Sequence, residues 1–235
     1  MVEAVIWDFG GVLTSSPFEA FSRYEREKGL PADFIRGINA TNPDTNAWAL
    51  FERSECSLDE FDRLFAEESA AKGSRIPGRD IIELLSGDIR PEMVTALKRC
   101  KERAKVGCIT NNVPAGKGAG MARSAEKAEA VAEVMSLFDH VIESSKIGIR
   151  KPDPRIYQMA CEALGVSAAA SVYLDDLGIN LKPAKALGMT TVLIVPRNFE
   201  PTFSEIWERD ANNEDDVDFV TDDLASFLNA ILAGL

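Results

Sequence analysis

Histidine occurs once in these 235 residues, at position 140. A histidine-rich zinc site is thereby excluded, and a serine–histidine–aspartate triad would have to form around that one imidazole. His140 precedes the strand-like pair Val141-Ile142, away from the polar clusters that follow the other strands, and reads as a helix-end or loop residue. The four cysteines, Cys56, Cys100, Cys108 and Cys161, have neither disulfide nor metal-ligand spacing. They read as small buried hydrophobes in a protein of the reducing cytoplasm. No apolar stretch is long enough to span a bilayer, and the first residues read as a core strand rather than a secretory signal. Basic clusters are missing too. With 38 acidic against 26 basic residues the net charge is −12, which argues against nucleic acid or an anionic membrane as a partner. If the chain is an enzyme, carboxylates and lysine must carry its chemistry.

What is present is a set of apolar runs that end in polar clusters. Ala4-Val5-Ile6-Trp7 ends in Asp8, and Phe9-Gly10-Gly11-Val12-Leu13 follows at once. The run fits a strand covered on both faces, and the glycines let the backbone turn beside the carboxylate. Val106-Gly107-Cys108-Ile109 runs into Thr110-Asn111-Asn112, and Ser171-Val172-Tyr173-Leu174 runs into Asp175-Asp176. Ligands of open parallel sheets bind outside the carboxyl ends of the strands, so three such ends can converge on one pocket.

The hydrophobic fraction of 46% is ample for one large domain, or for one domain carrying a smaller insertion. Residues 16–88 read as helical throughout. Ser16-Pro17 resembles a cap with proline in the first turn, and Ser57-Leu58-Asp59-Glu60 has capping-box spacing. From Pro91 onward helices and strands alternate, the pattern of βαβ crossovers and a parallel sheet. Strands are expected at 106–110, 140–143, 171–175 and 191–195, with a short last one at Phe219-Val220 and a final helix to Leu232. The acidic stretch Glu208 to Asp218 reads as a solvated loop. The expected fold is α/β, a doubly wound, Rossmann-like parallel sheet formed by residues 1–15 and 89–235, with a helical insertion at 16–88. Gly116-Lys117-Gly118-Ala119-Gly120 lacks the ending of a phosphate loop and reads as a flexible lead-in to a helix.

If Asp8, Thr110 and Asp175-Asp176 meet, the crowded carboxylates repel unless a cation sits between them. Oxygen ligands alone favour a hard ion, and beside a phosphate that ion is Mg²⁺. Lys151, in Arg150-Lys151-Pro152-Asp153-Pro154, can hold a phosphate or restrain a charged nucleophile. The set suits phosphoryl transfer. Taken singly, each piece has a plainer explanation: Asp175-Asp176 as a helix cap, Lys151 as a surface lysine, Thr110-Asn111-Asn112 as a turn. Their order along one sheet edge is what favours a site.

With those residues in view, the chain resembles the haloacid dehalogenase superfamily of phosphatases and related hydrolases. Its four motifs occur in order as Trp7-Asp8-Phe9-Gly10-Gly11-Val12-Leu13, Ile109-Thr110-Asn111-Asn112, Arg150-Lys151-Pro152 and Leu174-Asp175-Asp176. Lys151-Pro152-Asp153-Pro154-Arg155-Ile156-Tyr157 and Leu174-Asp175-Asp176-Leu177-Gly178-Ile179-Asn180-Leu181-Lys182-Pro183-Ala184 are similar to the phosphatase-like amino-terminal domain of soluble epoxide hydrolases. The resemblance implies that Asp8 attacks phosphorus and that Asp8, the Gly10 carbonyl and Asp176 hold Mg²⁺, with Asp175 in support. It implies that Thr110 and Asn111 bind the transferring group of a small phosphorylated substrate and that Lys151 steadies the charge. Asn180 fits as a helix-start or supporting residue, and 16–88 matches the family's cap, where Arg36, Trp48 and Lys72 are candidate substrate contacts. One departure stands out. Phosphatases of this superfamily usually carry a second aspartate two positions after the nucleophile as general acid and base, and here that position is Gly10. Thr14, Ser15 or Ser16 would be poor substitutes. Two other readings follow: a ligand-binding protein with little or no turnover, and 2-haloacid dehalogenation, a branch that usually lacks the paired aspartates. Oligomeric state is left open.

Overall fold

Six parallel strands form one sheet in the computed structural model, which describes residues 2–195 and 217–221. In chain order they are β1 (Ala4–Trp7), β2 (Lys105–Thr110), β3 (His140–Glu143), β4 (Ser171–Asp175), β5 (Thr190–Ile194) and β6 (Phe219–Thr221). Their order across the sheet is β3-β2-β1-β4-β5-β6. The chain winds outward from β1 through β2 to β3, then returns to β4 on the other side. The direction of winding therefore reverses between β1 and β4, the place where open α/β sheets bind ligands.

All four residues of β1 are fully buried, which is why its sequence is continuously apolar rather than alternating. Val5 and Trp7 join one apolar cluster with α6 (Pro91–Lys101) and α7 (Ala125–Met135). Ala4 and Ile6 join a second with α9 (Pro154–Leu164) and α10 (Gly178–Ala186). The sheet is thus covered on both faces, as a doubly wound fold requires. Helix α9 starts where its sequence indicates: Asp153 accepts a hydrogen bond from the Arg155 amide (2.9 Å), Pro154 occupies the first turn, and Gly165 closes the helix.

Between β1 and α6 lie α1 (Pro17–Lys28), α2 (Phe34–Asn39), α3 (Ala47–Glu52), α4 (Leu58–Ala71) and α5 (Gly78–Ile82). They share an apolar cluster of their own, with Phe21, Ile35, Phe51, Phe61, Phe65 and Ile81 at its centre and Phe51 stacked on Phe61 at 4.6 Å. Ser57 and Glu60 form the capping box that begins α4. The two ends of this block run side by side: Thr14 bridges Ile89, and the Ser15 amide donates to the Asp88 carbonyl at 2.8 Å. Val113 from beyond β2 joins the block's cluster, and Phe18 packs against both it and the sheet.

Three local expectations differ. The glycine-rich segment is a closed turn, not a lead-in to a helix: Lys117 and Ala122 exchange backbone hydrogen bonds at 3.0 Å, and α7 begins only after the Ser124 cap. Left-handed backbone at Gly116 and Gly118 breaks any helical run there. His140 is the exposed first residue of β3, opposite Gly107, as the strand expected at 140–143 has it and not the helix-end or loop residue suggested by its flanks. A one-turn helix α8 (Ser144–Ile147), too short to leave a periodic signal, follows β3. Most of the acidic stretch and the final helix lie outside the described residues, in which no helix is long and apolar enough to cross a membrane.

Candidate active site

Strand register brings the site together. Trp7 lies opposite Cys108 on one side and Leu174 on the other, so Asp8 emerges level with Ile109 and Asp175. The Asp8 amide donates to the Leu174 carbonyl at 2.8 Å, continuing the ladder. Carboxylate oxygens of Asp8, Asp175 and Asp176 all lie within 4.8 Å of one another, and all three residues are buried. Thr110 ends β2 one residue past the level of Asp8 and is buried at 3% exposure.

Lys151 reaches this cluster from the loop before α9 with a side chain only 1% exposed. Its ammonium lies 2.7 Å from Asp8 and 2.8 Å from Asp175. Burial by itself would lower its pKa, but the charges of Asp175 and Asp8 outweigh burial and hold it above the usual lysine range. Lys151 is therefore a fixed cation and no surface lysine.

Three carboxylates face that one ammonium. Burial pushes the Asp8 carboxyl up to about 7; Lys151 pulls against this and Asp175 adds to it. Asp176 is pushed well above the carboxylate range, first by burial and then by the charges of Asp175 and Asp8. Asp175 differs in having its oxygens filled. Besides Lys151 it accepts from the Tyr173 hydroxyl (2.6 Å), the Leu177 amide (2.9 Å) and the Asn180 side chain (3.1 and 3.2 Å). Asn180 is held in turn by the Tyr157 hydroxyl, which donates to its carbonyl at 2.7 Å. Tyr173 and Tyr157 were absent from the sequence-based candidates. Tyr173 had a usable signal, since residues two apart on a strand share a face and Asp175 is two positions on.

Asn111 contacts Lys151 rather than the acids. Its side-chain oxygen accepts from the Lys151 amide (2.8 Å) and its side-chain nitrogen donates to the Lys151 carbonyl (3.0 Å). The next residue, Asn112, binds Glu143 and Ser145 and so ties the end of β2 to α8. Of the insertion candidates, Arg36 stacks over Phe18 at 4.3 Å, Trp48 donates to Glu52 at 2.9 Å, and Lys72 is exposed at the end of α4.

The two glycines after Asp8 are not equivalent. Gly11 has φ +78°, and a Cβ there would fall 1.9 Å from a carboxylate oxygen of Asp176. A Cβ at Gly10 would meet nothing within 4 Å. Gly11→Ala is expected to destabilise the fold by about 2 kcal/mol or more, from left-handed strain together with displacement of Asp176. Urea unfolding of the variant checks this, with Gly10→Ala as the near-neutral comparison.

Among known proteins, a family described as haloacid dehalogenase-like hydrolase matches residues 2–188. The chain is 32% identical over 200 residues to Phosphatase MT3486 of Mycobacterium tuberculosis, covering 82% of this chain and 87% of that one. It is 29% identical over 199 residues to bifunctional epoxide hydrolase 2 of Mus musculus, covering 80% of this chain. Of the mammalian proteins it matches, the chain spans only 18% to 36% of the length. The solved structure of L-2-haloacid dehalogenase from Xanthobacter autotrophicus with chloropropionic acid covalently bound aligns at TM-score 0.67 and 16% identity, over 98% of both chains. That last likeness is one of fold. With the family match running from β1 through α10 and phosphatases among the relatives, the chain belongs to the haloacid dehalogenase-like hydrolases.

Proposed function

We propose that the protein is a Mg²⁺-dependent phosphatase of a small phosphorylated metabolite, working through an aspartyl-phosphate on Asp8. The observation that carries this reading is the meeting of Asp8, Asp175 and Asp176 with a buried Lys151 where the sheet's winding reverses. A magnesium ion fits the residues present: the donors are all oxygen, and the upward-shifted carboxyls mark a site short of positive charge. Asp8, Asp176 and the Gly10 carbonyl would hold it, while Asp175, already saturated by four donors, supports Lys151. When bound, the ion supplies charge neutralisation to the phosphoryl group and to the acids around it.

The rest is done by the chain. An Asp8 carboxylate oxygen attacks phosphorus and the ester oxygen departs with its electron pair. Water then attacks the phosphorus of the acyl phosphate, which releases inorganic phosphate and regenerates Asp8. Lys151 favours the ionised form of Asp8 and holds it in place, and neutralises part of the charge brought by the substrate. The Thr110 hydroxyl and the Asn111 amide bind phosphoryl oxygens, since the Asn112 amide already donates to Ser144. Asn111 contributes through its main chain, because its side chain is engaged with Lys151. The helical block at 16–88 acts as the cap that covers the site and selects the substrate. A cytoplasmic location accords with the scattered cysteines.

Gly10 favours a second reading, a ligand-binding protein with weak or no turnover, since no acid stands where the leaving group would need a proton. A screen of phosphate release from sugar, lipid and nucleotide monophosphates, with and without Mg²⁺, separates the two. Release from a subset of esters that requires Mg²⁺ is the expected result. Mg²⁺-dependent ligand binding without release would favour the second reading. Chloride release from a 2-chloro acid in the presence of a chelator would overturn both.

A further inference from the structure

The Lys151 ammonium is placed by its own main chain, and that main chain has two anchors. One is Asn111, which holds both the amide and the carbonyl of Lys151. The other belongs to the residue before it. Arg150 leaves the sheet side and crosses to the helical block, where it donates to the Pro43 carbonyl at 2.7 Å and pairs with Glu52 at 2.5 Å. Glu52 ends α3, is 4% exposed, and also accepts from the Trp48 indole at 2.9 Å. Burial pushes its carboxyl up, while Arg150, the Trp48 indole and Lys151 itself pull it back. Ser54 adds a parallel tether by donating to the Ser145 carbonyl at 2.6 Å.

An ion pair with one partner buried and the other half-buried is a costly way to join two surfaces, and an apolar contact of equal volume would often hold them as well or better. Its distinguishing property is geometric. The charge contact holds in one arrangement only, and it separates readily into water when the two sides part. Here it sits one peptide bond from the lysine that bridges Asp8 and Asp175.

We infer that Arg150 and Glu52 are positioning residues that couple the seating of the helical block to the placement of the Lys151 ammonium between Asp8 and Asp175. With the block seated, Arg150 is pulled toward Pro43 and Glu52, and Lys151 is drawn tight between that pull and the Asn111 clamp. With the block lifted, Arg150 is released, the Lys151 main chain keeps only its Asn111 anchor, and the ammonium, still paired with Asp175, shifts from its place against Asp8. Substrate that closes the block thereby completes the site. The rate part of this inference rests on the phosphatase reading; the coupling does not.

The test uses Glu52→Gln and Arg150→Met in the full chain, with Trp48→Phe as a milder variant that removes the indole donor while keeping an aromatic ring against Phe21 and Phe61. Nitrogen-15-labelled lysine gives a resonance for the Lys151 ammonium, assigned by its loss in Lys151→Arg. That resonance is expected to move in both charge variants, and by less in Trp48→Phe. On p-nitrophenyl phosphate with saturating Mg²⁺, kcat per folded molecule is expected to fall about 10- to 100-fold, the usual consequence of a small misplacement. KM should change far less, and the double variant should resemble the worse single one. A Lys151 resonance identical to that of the unaltered protein in all variants overturns the coupling. An unaltered protein with no phosphatase activity overturns the functional reading alone, and the resonance then decides the coupling by itself.

Discussion

Asp8→Asn is expected to abolish phosphate release, with kcat lower by on the order of 10⁴-fold or more, because no other group replaces a lost nucleophile. The variant should nevertheless fold at least as well as the parent. The folded protein holds the Asp8 carboxyl at about 7 against an ordinary value of 3.8, and that net shift already includes the attraction of Lys151. A group whose folded pKa is raised stabilises the fold below its unfolded pKa and loses that contribution as pH rises through the folded one. Above pH 7 the ionised Asp8 of the metal-free protein is thus a burden of a few kcal/mol, which the neutral amide does not carry. Lys151 keeps Asp175 at 2.8 Å in the variant, so no unpaired ammonium is left behind. Metal-free Asp8→Asn should therefore melt at or above the parent's temperature at pH 8, and the advantage should vanish near pH 4. Activity lost together with the fold would mean that Asp8 is structural.

Much of this arrangement was legible in the sequence, for identifiable reasons. Ala4–Trp7 is buried on both faces, so its apolar run could hardly be anything but a central strand, and the acid that ends it had to lie at the sheet's carboxyl edge. Asp153-Pro154 carries its own start signal, and α9 begins there. The order of four short motifs pointed to the hydrolase family that the comparisons bear out. What escaped were contacts whose partners are far apart in sequence. Asn111 reads locally as a turn residue; its clamp on Lys151, 40 positions away, exists only because two loops meet in space. Arg150 and Pro43 are 107 positions apart, and neither has a local signature that names the other. Tyr173 was hidden differently. An aromatic in a buried strand reads as packing, and only its place two residues before Asp175, on the same face of the strand, hints that its hydroxyl completes Asp175. The turn at 116–122 was misread because glycine spacing alone does not say whether the backbone goes left-handed.

Restoring an acid at position 10 is the sharpest probe of what this chain lacks. Gly10→Asp is expected to raise the rate on alkyl phosphates by about 10²- to 10⁴-fold, the range associated with general acid–base help. The site has room for it, since a Cβ at Gly10 meets nothing within 4 Å and the position is half-buried beside the nucleophile. The hydroxyls nearest in sequence are already engaged where the helical block joins the sheet: Thr14 donates to the Ser15 carbonyl, Ser15 accepts from the Asp88 amide, and Ser16 caps α1. A fourth carboxylate among three others will have its own pKa raised by their charge, which suits a group that must keep a proton to deliver at neutral pH. The same charge weakens substrate binding when the metal is scarce, so rates belong at saturating Mg²⁺. Leaving-group dependence is the decisive comparison. A nitrophenolate departs with little need of a proton and an alkoxide does not, so the gain on p-nitrophenyl phosphate should be much the smaller. Gly10→Asn fills the same space without a proton to give and should gain on neither ester. Equal gains on both, or an asparagine variant as fast as the aspartate one, would show that position 10 acts by shape and that protons reach the leaving group by another route.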